Sequence, residues 1–266
     1  MKYEHIVLGK KGSVASLVLN RPEKMNSLSS QMHEEIMAAL SEVDMDEKMR
    51  VLILTGAGDR AFCSGADLAE AGLPWLDGQI AETSRRQFTE RVGAFVSLFR
   101  EIRVPTIAAV NGVAVGVGLS MLLACDIRIS SDEATFGAPW VWRGLSPDGA
   151  ATYLLPQIVG IGNALRLLYT GEIIDAEEAL RIGLVSLTVP GNELMKVTKK
   201  LAERLADAPP IAIEFTKHGV YRGIESNIRI ALDYENYALA VCRRTEDAKE
   251  GFRSFLKKRK PRFKGC

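Results

Sequence analysis

Apolar and polar positions alternate along this chain in two rhythms, one of strands and one of helices. Tyr3 to Lys10 and Val14 to Asn20 read as two short strands around a Lys11-Gly12-Ser13 turn, a hairpin signal. Arg21-Pro22-Glu23-Lys24 breaks that pattern and opens a loop. From Ser29 to Val43 the apolar residues Met32, Ile36, Leu40 and Val43 recur at helical spacing, with Ser29 as the cap. Val51 to Leu54 is a continuous apolar run before Thr55-Gly56-Ala57-Gly58, which predicts a buried strand and a loop. Leu73 to Thr83, with Pro74, Asp77 and Gly78, reads as a mobile loop. Glu82 to Ile102 reads as a long helix that Pro105 ends. Thr106 to Val110 is another buried strand, Asn111-Gly112 a turn, Gly116 to Ala124 a short and very apolar helix, and Asp126 to Ser130 a further strand.

Strands and helices in that alternation predict an α/β fold with a largely parallel, buried sheet. Beyond about residue 190 the rhythm is helical throughout, over Asn192 to Ala206, Ile211 to Tyr221 and Ile224 to Arg243. The expected organisation is an α/β core over residues 1–190 that carries the site, and a helical C-terminal region over 191–266. That region packs on the core or on a neighbouring subunit. No internal repeat or low-complexity linker interrupts the chain.

Composition narrows the function classes. Of 266 residues, 47% are hydrophobic and 25% charged, enough for a sizeable core in a globular protein. A formal net charge of +1 gives no global field toward nucleic acid or acidic partners. Cys63, Cys125, Cys242 and Cys266 are scattered, with no CxxC pair and no adjoining histidines. That argues against a disulfide framework or a metal site and fits a reducing compartment. Met1 to Lys10 lacks a signal-peptide layout, and no apolar run approaches the roughly 18 residues a membrane span needs. The expectation is a soluble cytoplasmic protein with no membrane contact.

Two segments put glycine where backbone donors can be exposed. One is Phe62-Cys63-Ser64-Gly65-Ala66-Asp67-Leu68. The other runs from Asn111-Gly112 through Gly116-Val117-Gly118-Leu119. Each follows a strand and leads toward a helix. Ligands of open α/β sheets bind at the carboxyl ends of strands, and helix N-termini offer unpaired N–H groups. Two such groups converging on one oxygen would make an oxyanion hole. Glycine alone is equally compatible with tight turns and close helix packing.

Taken together, these segments resemble the crotonase (enoyl-CoA hydratase/isomerase) superfamily over nearly the whole chain. Asn20-Arg21-Pro22-Glu23-Lys24-Met25-Asn26-Ser27-Leu28 resembles the family's opening motif. Leu54-Thr55-Gly56 with Phe62 to Leu68, and Ala109-Val110-Asn111-Gly112 through Gly118 with Ala124-Cys125-Asp126, resemble its two oxyanion loops. Leu155-Pro156, Val159-Gly160, Thr170-Gly171, Glu178-Ala179 and Gly183-Leu184-Val185 resemble its later landmarks. The resemblance implies a spiral of ββα units, a C-terminal helical region used in trimerisation, and a homotrimer or dimer of trimers. It also implies an acyl-CoA substrate, with coenzyme A entering as part of the thioester and no other cofactor. The oxyanion donors it implies are the amides of Ala66 and Val117, where the family usually has glycine at the second position. The contacts it implies for the CoA thioester are Arg21, Lys24, Ser64, Gly65, Asp67, Leu68, Gly116 and Trp140.

The departures from the family pattern point to the reaction class. Hydratases of the family carry two glutamates that hold and activate water, and their positions fall here on Ser120 and Trp140. A hydroxyl and an indole cannot act as general bases near neutral pH. A third family position is acidic, Asp148 in Leu145-Ser146-Pro147-Asp148-Gly149. Pro-Asp-Gly is also common turn chemistry, and Asp is a good helix cap. The stretch Gly144 to Gly160 and the chain end from Glu250 to Gly265 resemble enoyl-CoA isomerases, including those acting on ring-derived intermediates of phenylacetate breakdown. On that resemblance Asp148 shuttles a proton between two carbons of an enolate. Trp140, with Phe136 and Trp142, reads as pocket wall. A tryptophan eight residues before an acid also resembles chlorobenzoyl-CoA dehalogenases, but the helix those enzymes use for a histidine has none here. His5, His33 and His218 read as structural or surface residues.

The last stretch, Gly251 to Cys266, holds seven Lys or Arg and no acid. Such a run is ordinarily a solvated tail or a weak nucleic-acid patch. The resemblance gives it a sharper use, with Phe255 and Lys258 meeting the adenine and 3′-phosphate of CoA on a neighbouring subunit. The reading is an enoyl-CoA isomerase. Its alternatives are an enoyl-CoA hydratase of fatty-acid or aromatic-acid degradation, and a non-catalytic member that binds acyl-CoA or RNA.

Overall fold

The segment Val51–Gly56 is buried along its whole length, which is why its sequence does not alternate. Leu52 and Leu54 face one apolar cluster, and Val51 and Ile53 face another on the opposite side. A computed structural model describes residues 3–71 and 85–266. The large sheet has six strands in the order β1 (Ile6–Lys11), β2 (Val14–Leu19), β3 (Val51–Gly56), β5 (Thr106–Val110), β7 (Ile127–Ser131) and β10 (Leu187–Val189). The β1–β2 hairpin is antiparallel, pairing Ile6 with Leu19 through Lys11 with Val14, and every later neighbour in the sheet is parallel. A second sheet of four strands runs β4 (Ala61–Cys63), β6 (Val113–Val115), β8 (Thr135–Gly137) and β9 (Ile173–Asp175). Its first three strands are parallel and β9 is antiparallel to β8.

Chain order explains the two sheets. From β3 the chain adds β4 to the small sheet, crosses through α2 (Leu68–Ala71) and α3 (Arg85–Glu101), and returns as β5. It then repeats the move with β6, α4 (Val117–Ala124) and β7, before adding β8. This is a stacked ββα spiral. α1 (Ser30–Met45) buries Met32, Ile36, Leu40 and Val43, and the Ser29 hydroxyl accepts the Met32 amide at 3.0 Å as its cap. α4 is buried over its full length. The loop expected over Leu73 to Thr83, and the expected start of α3 at Glu82, lie outside the described residues.

Helices complete the chain: α5 (Ala151–Thr170), α6 (Ala176–Arg181), α7 (Leu194–Ala206), α8 (Pro210–Ile224), α9 (Ile228–Cys242) and α10 (Glu246–Leu256). α7 covers the outer face of the large sheet, where Leu194 and Ala202 join Val51, Ile53, Ile107 and Ile129. α8 is fastened through Lys217, whose ammonium donates to the Phe99 and Val104 carbonyls at 2.9 and 3.0 Å and pairs with Asp126 at 3.0 Å. All three of its protons therefore have acceptors. The Tyr221 hydroxyl donates to the other oxygen of Asp126. Asp126 follows directly on α4 and Cys125, so this buried cluster ties the helical region to the far end of α4.

The basic chain end is tied back to the fold, with most of its side chains exposed. After α10 the chain reverses at Lys258, which takes a left-handed φ of 51°. Arg259 then pairs with Glu250, and the Lys264 and Gly265 amides donate to the buried carboxylate of Asp247 at 2.6 and 2.8 Å. Asp247 and Glu250, two of the acids that hold the run, lie on α10 just ahead of the window in which every charged residue is basic, and Asp207 pairs with Lys260. α9 has no buried residue and presents Ile228, Ile230, Leu232, Tyr237 and Leu239 outward. Among the described residues no helix is long and apolar enough to cross a membrane, and no group of His, Cys, Asp and Glu could hold a metal ion.

Candidate active site

The opening motif folds as a brace. Asn26, in a left-handed conformation, accepts the Arg21 amide and donates to the Ala57 and Ala61 carbonyls at 3.0 and 2.8 Å. Arg21 is buried; its guanidinium pairs with Asp67 at 2.9 Å and donates to the Ser27 carbonyl. The resemblance gave Arg21 and Asp67 to the ligand, yet here they hold each other and fix the loop around Ala66. Lys24 stays exposed at the rim. Asn111 works in the same way, accepting the Gly56 amide at 3.0 Å and donating to the Gly58 and Ala61 carbonyls.

These braces leave two amides open. Leu28 and Ala66 form an isolated parallel bridge, in which Leu28 N–H donates to Gly65 O at 2.8 Å and Asp67 N–H to Leu28 O at 2.9 Å. That pattern uses the groups on either side of Ala66, so Ala66 N–H has no acceptor among the described residues. Val117 is the first residue of α4, where an amide has no helical acceptor, and Gly116 turns into it with φ 57° and ψ −128°. The two loops touch. A Cβ on Gly116 would lie 3.7 Å from Gly65 Cα, and one on Gly65 would lie 3.3 Å from Val115 O. At 118 the approach is closer still, since a Cβ there would stand 2.2 Å from the Cys63 carbonyl oxygen. Only glycine at 118 lets α4 seat its N-terminus beside the loop after β4. Ser64 joins the same loop through its amide to Met25 O, and Leu68 is exposed at the start of α2. Cys63 offers no nucleophile, because burial pushes its thiol up to about 11.

Asp148 stands over this arrangement. Its Oδ1 accepts the Trp140 indole N–H at 3.2 Å, and its backbone carbonyl accepts the Ser120 hydroxyl at 3.0 Å. The two residues at the family's glutamate positions thus both bond to Asp148, a convergence that sequence reading missed. The spacing of eight between Trp140 and Asp148 was its one visible trace. The carboxylate does not cap α5, whose N-cap Ala150 has no side-chain bond, so helix capping does not account for it. Asp148 remains reachable by water, but the protein packed around it raises its pKa above the ordinary value, with desolvation the largest cause. The Trp140 bond and its own amide pull the other way. Gly149 sits on Ser120 and close to Val117 Cγ2, which joins the acid to the second amide donor.

Other candidates lie elsewhere. Phe136 is core, and Trp142 is exposed and donates to the Thr170 carbonyl. Phe255 is exposed, and Lys258 lies in the turn after α10. Among the described residues no hydrogen bond or ion pair links residues 246–266 to the loops of Ala66, Val117 or Asp148 within one chain. His5 bonds Ser29, His33 stacks edge-on against Phe95 and His218 bonds the Glu101 carbonyl. A cavity of about 880 Å³ lies under the chain end and one of about 600 Å³ at the carboxyl ends of the large sheet. Neither is lined by Ala66, Val117 or Asp148, and chemistry rather than volume marks the site.

Known proteins share this architecture. The family described as enoyl-CoA hydratase/isomerase matches residues 9–266. The crotonyl-CoA hydratase of Syntrophomonas wolfei is 38% identical over 263 residues, 99% of each chain. The (E)-benzylidenesuccinyl-CoA hydratase of Thauera aromatica is 37% identical over 261 residues, 98% of this chain and 99% of that one. The crystal structure of an enoyl-CoA hydratase from Bacillus anthracis superposes with a TM-score of 0.91 at 34% identity, covering 99% of this chain and 100% of that one. The fold is therefore crotonase-like, and the chain belongs to the enoyl-CoA hydratase/isomerase family.

Proposed function

We propose that the chain is an enoyl-CoA isomerase, nearest in kind to those that act in phenylacetate breakdown, with Asp148 as its one proton shuttle. The observation that carries this reading is the site's acid–base content. Asp148 is partly desolvated and oriented, while Ser120 and Trp140 stand where two-glutamate hydratases need carboxylates. In the proposed step Asp148 takes a proton from the α-carbon of a β,γ-unsaturated thioester. The C–H electron pair becomes part of a dienolate whose negative oxygen lies between the Ala66 and Val117 amides. Asp148 returns the proton to the γ-carbon, and the electrons collapse to an α,β double bond and a restored thioester carbonyl. No cofactor is needed beyond the CoA of the substrate. Lys24, Ser64, Gly65, Leu68 and Gly116 line its approach, and Phe255 and Lys258 reach it from a neighbouring copy.

A hydratase is the second reading, and the names of the relatives favour it. Two substrates separate the readings. An isomerase converts 3-butenoyl-CoA to its conjugated isomer, seen as a rise in ultraviolet absorbance, and hydrates crotonyl-CoA far more slowly. Its rate falls on acidification, with the acid limb above the ordinary aspartate range, because the base works ionised. Fast hydration without isomerisation would overturn the proposal in favour of a hydratase. Turnover of neither would leave the acyl-CoA or RNA binding reading.

The second amide has its own test. Val117 is the first residue of α4, a position that accepts proline readily, so Val117→Pro removes the donor with little strain. The expected result is a protein that remains folded by circular dichroism and a loss of about 10²–10³ in kcat. A folded variant with full activity would remove Val117 from the oxyanion hole.

Assembly follows from the outward apolar face of α9. We propose that copies of the chain cover it, as a homotrimer or a dimer of trimers. Ile228, the most exposed of these residues at 79%, is a poor fit to a monomer surface. Sedimentation at three or six chain masses is expected, and a stable monomer would contradict it.

A further inference from the structure

We propose that Ser120 and Trp140 are positioning residues that hold Asp148 from two sides, Ser120 through its carbonyl and Trp140 through its carboxylate. This rests on the reading of Asp148 as the base and goes on to say what aims it.

The turn that carries Asp148 is strained. Gly149 and Ala150 are both left-handed, with φ of 58° and 59°, and an alanine is disfavoured there. No side chain caps α5 at Ala150. The turn is held from below instead. Ser120 is fully buried, and its hydroxyl shares the Asp148 carbonyl with the Ala151 amide, at 3.0 and 3.1 Å. A Cβ on Gly149 would stand 2.7 Å from Ser120 Cβ, so the turn is pressed onto the serine. A longer side chain at 120 would lift the turn and Asp148 with it. The same position therefore cannot both supply a water-activating glutamate and seat this aspartate.

Trp140 acts at the other end. Its indole N–H only donates, so its bond to Oδ1 favours the ionised carboxylate. Oδ2 has no side-chain partner among the described residues and is left for the proton. No charged side chain of α4, of α5 or of the segment between β8 and α5 acts on Asp148 among the described residues. Arg143, close in sequence, turns its guanidinium to the Pro139 carbonyl. Ser120 thus sets the direction of the carboxylate and Trp140 its charge.

The experiment compares wild type, Ser120→Ala, Trp140→Phe and Asp148→Asn, together with each of the first two combined with Asp148→Asn, on 3-butenoyl-CoA across pH. Ser120→Ala should lose about 5- to 10-fold in kcat, the worth of one neutral hydrogen bond, with KM unchanged and the acid limb unmoved. Trp140→Phe should move the acid limb to higher pH. Carbon-13 carboxyl NMR of aspartate-labelled protein, which needs no turnover, should show the Asp148 titration rising in that variant. In the Asp148→Asn background neither change should reduce the rate further. Ser120→Cys, close in volume with a weak donor, should recover part of the rate and serves if Ser120→Ala melts early. Equal losses with and without Asp148, or an Asp148 titration unmoved by Trp140→Phe, would overturn the positioning role. Full activity in Asp148→Asn alone is a different result, and would overturn the reading of Asp148 as the base.

Discussion

The site depends on one close approach, that of the α4 N-terminus to the loop after β4. Gly118 lies against the Cys63 carbonyl at a distance no side chain permits. That contact sets the Val117 amide beside the loop whose Ala66 amide the Leu28 bridge leaves open. The donors are main-chain groups, so the sequence around them is free to vary in function while the geometry stays fixed. What the sequence must supply is glycine at the contacts and braces at the edges. Asn26, Asn111 and the Arg21–Asp67 pair are those braces. Lys217, seated among two carbonyls and Asp126, holds the other end of α4.

On the proposed reading, the chemistry over this scaffold rests on a single carboxylate. Desolvation raises the Asp148 pKa and makes it a stronger base than an aspartate in water, while the Trp140 indole N–H favours its ionised form. The same desolvation opposes stability. A carboxyl whose folded pKa lies above its unfolded one binds more protons folded, so the fold weakens as pH rises from the unfolded value through the folded one. The Trp140 bond offsets part of that loss. Ser120 and Trp140 thus both bond to Asp148, one at its main-chain carbonyl and the other at its carboxylate.

Much of this was legible in the sequence. β3 and β5 announced themselves as unbroken apolar runs, α1 by its spacing and its Ser29 cap, and the two donor loops by glycine after a strand. β4, β6, β8 and β9 were not visible, because three residues carry no periodicity and their pairing is set by the spiral. α5 was obscured by Pro156 and by Gly160, whose φ of 79° kinks the helix. The basic end looked solvated because its acidic partners, Asp247 and Glu250, precede the window that drew attention to its charge. Arg21 and Asp67 were legible as members of a motif but not as partners of each other, since 46 residues separate them. The family resemblance placed Asp148, and the structure added what touches it.

The proposed role of Asp148 in moving the proton is tested most directly by exchange of substrate α-protons with deuterium, followed by NMR on 3-butenoyl-CoA in D₂O. Exchange needs only the oxyanion hole and the base, and it does not depend on the natural substrate being in hand. Asn keeps the shape of Asp and can still accept the Trp140 N–H, so Asp148→Asn removes the base and little else. Wild type is expected to exchange, and the folded Asp148→Asn variant to exchange about 10²–10⁴ more slowly. Exchange at the wild-type rate in that variant would contradict it and place the base elsewhere.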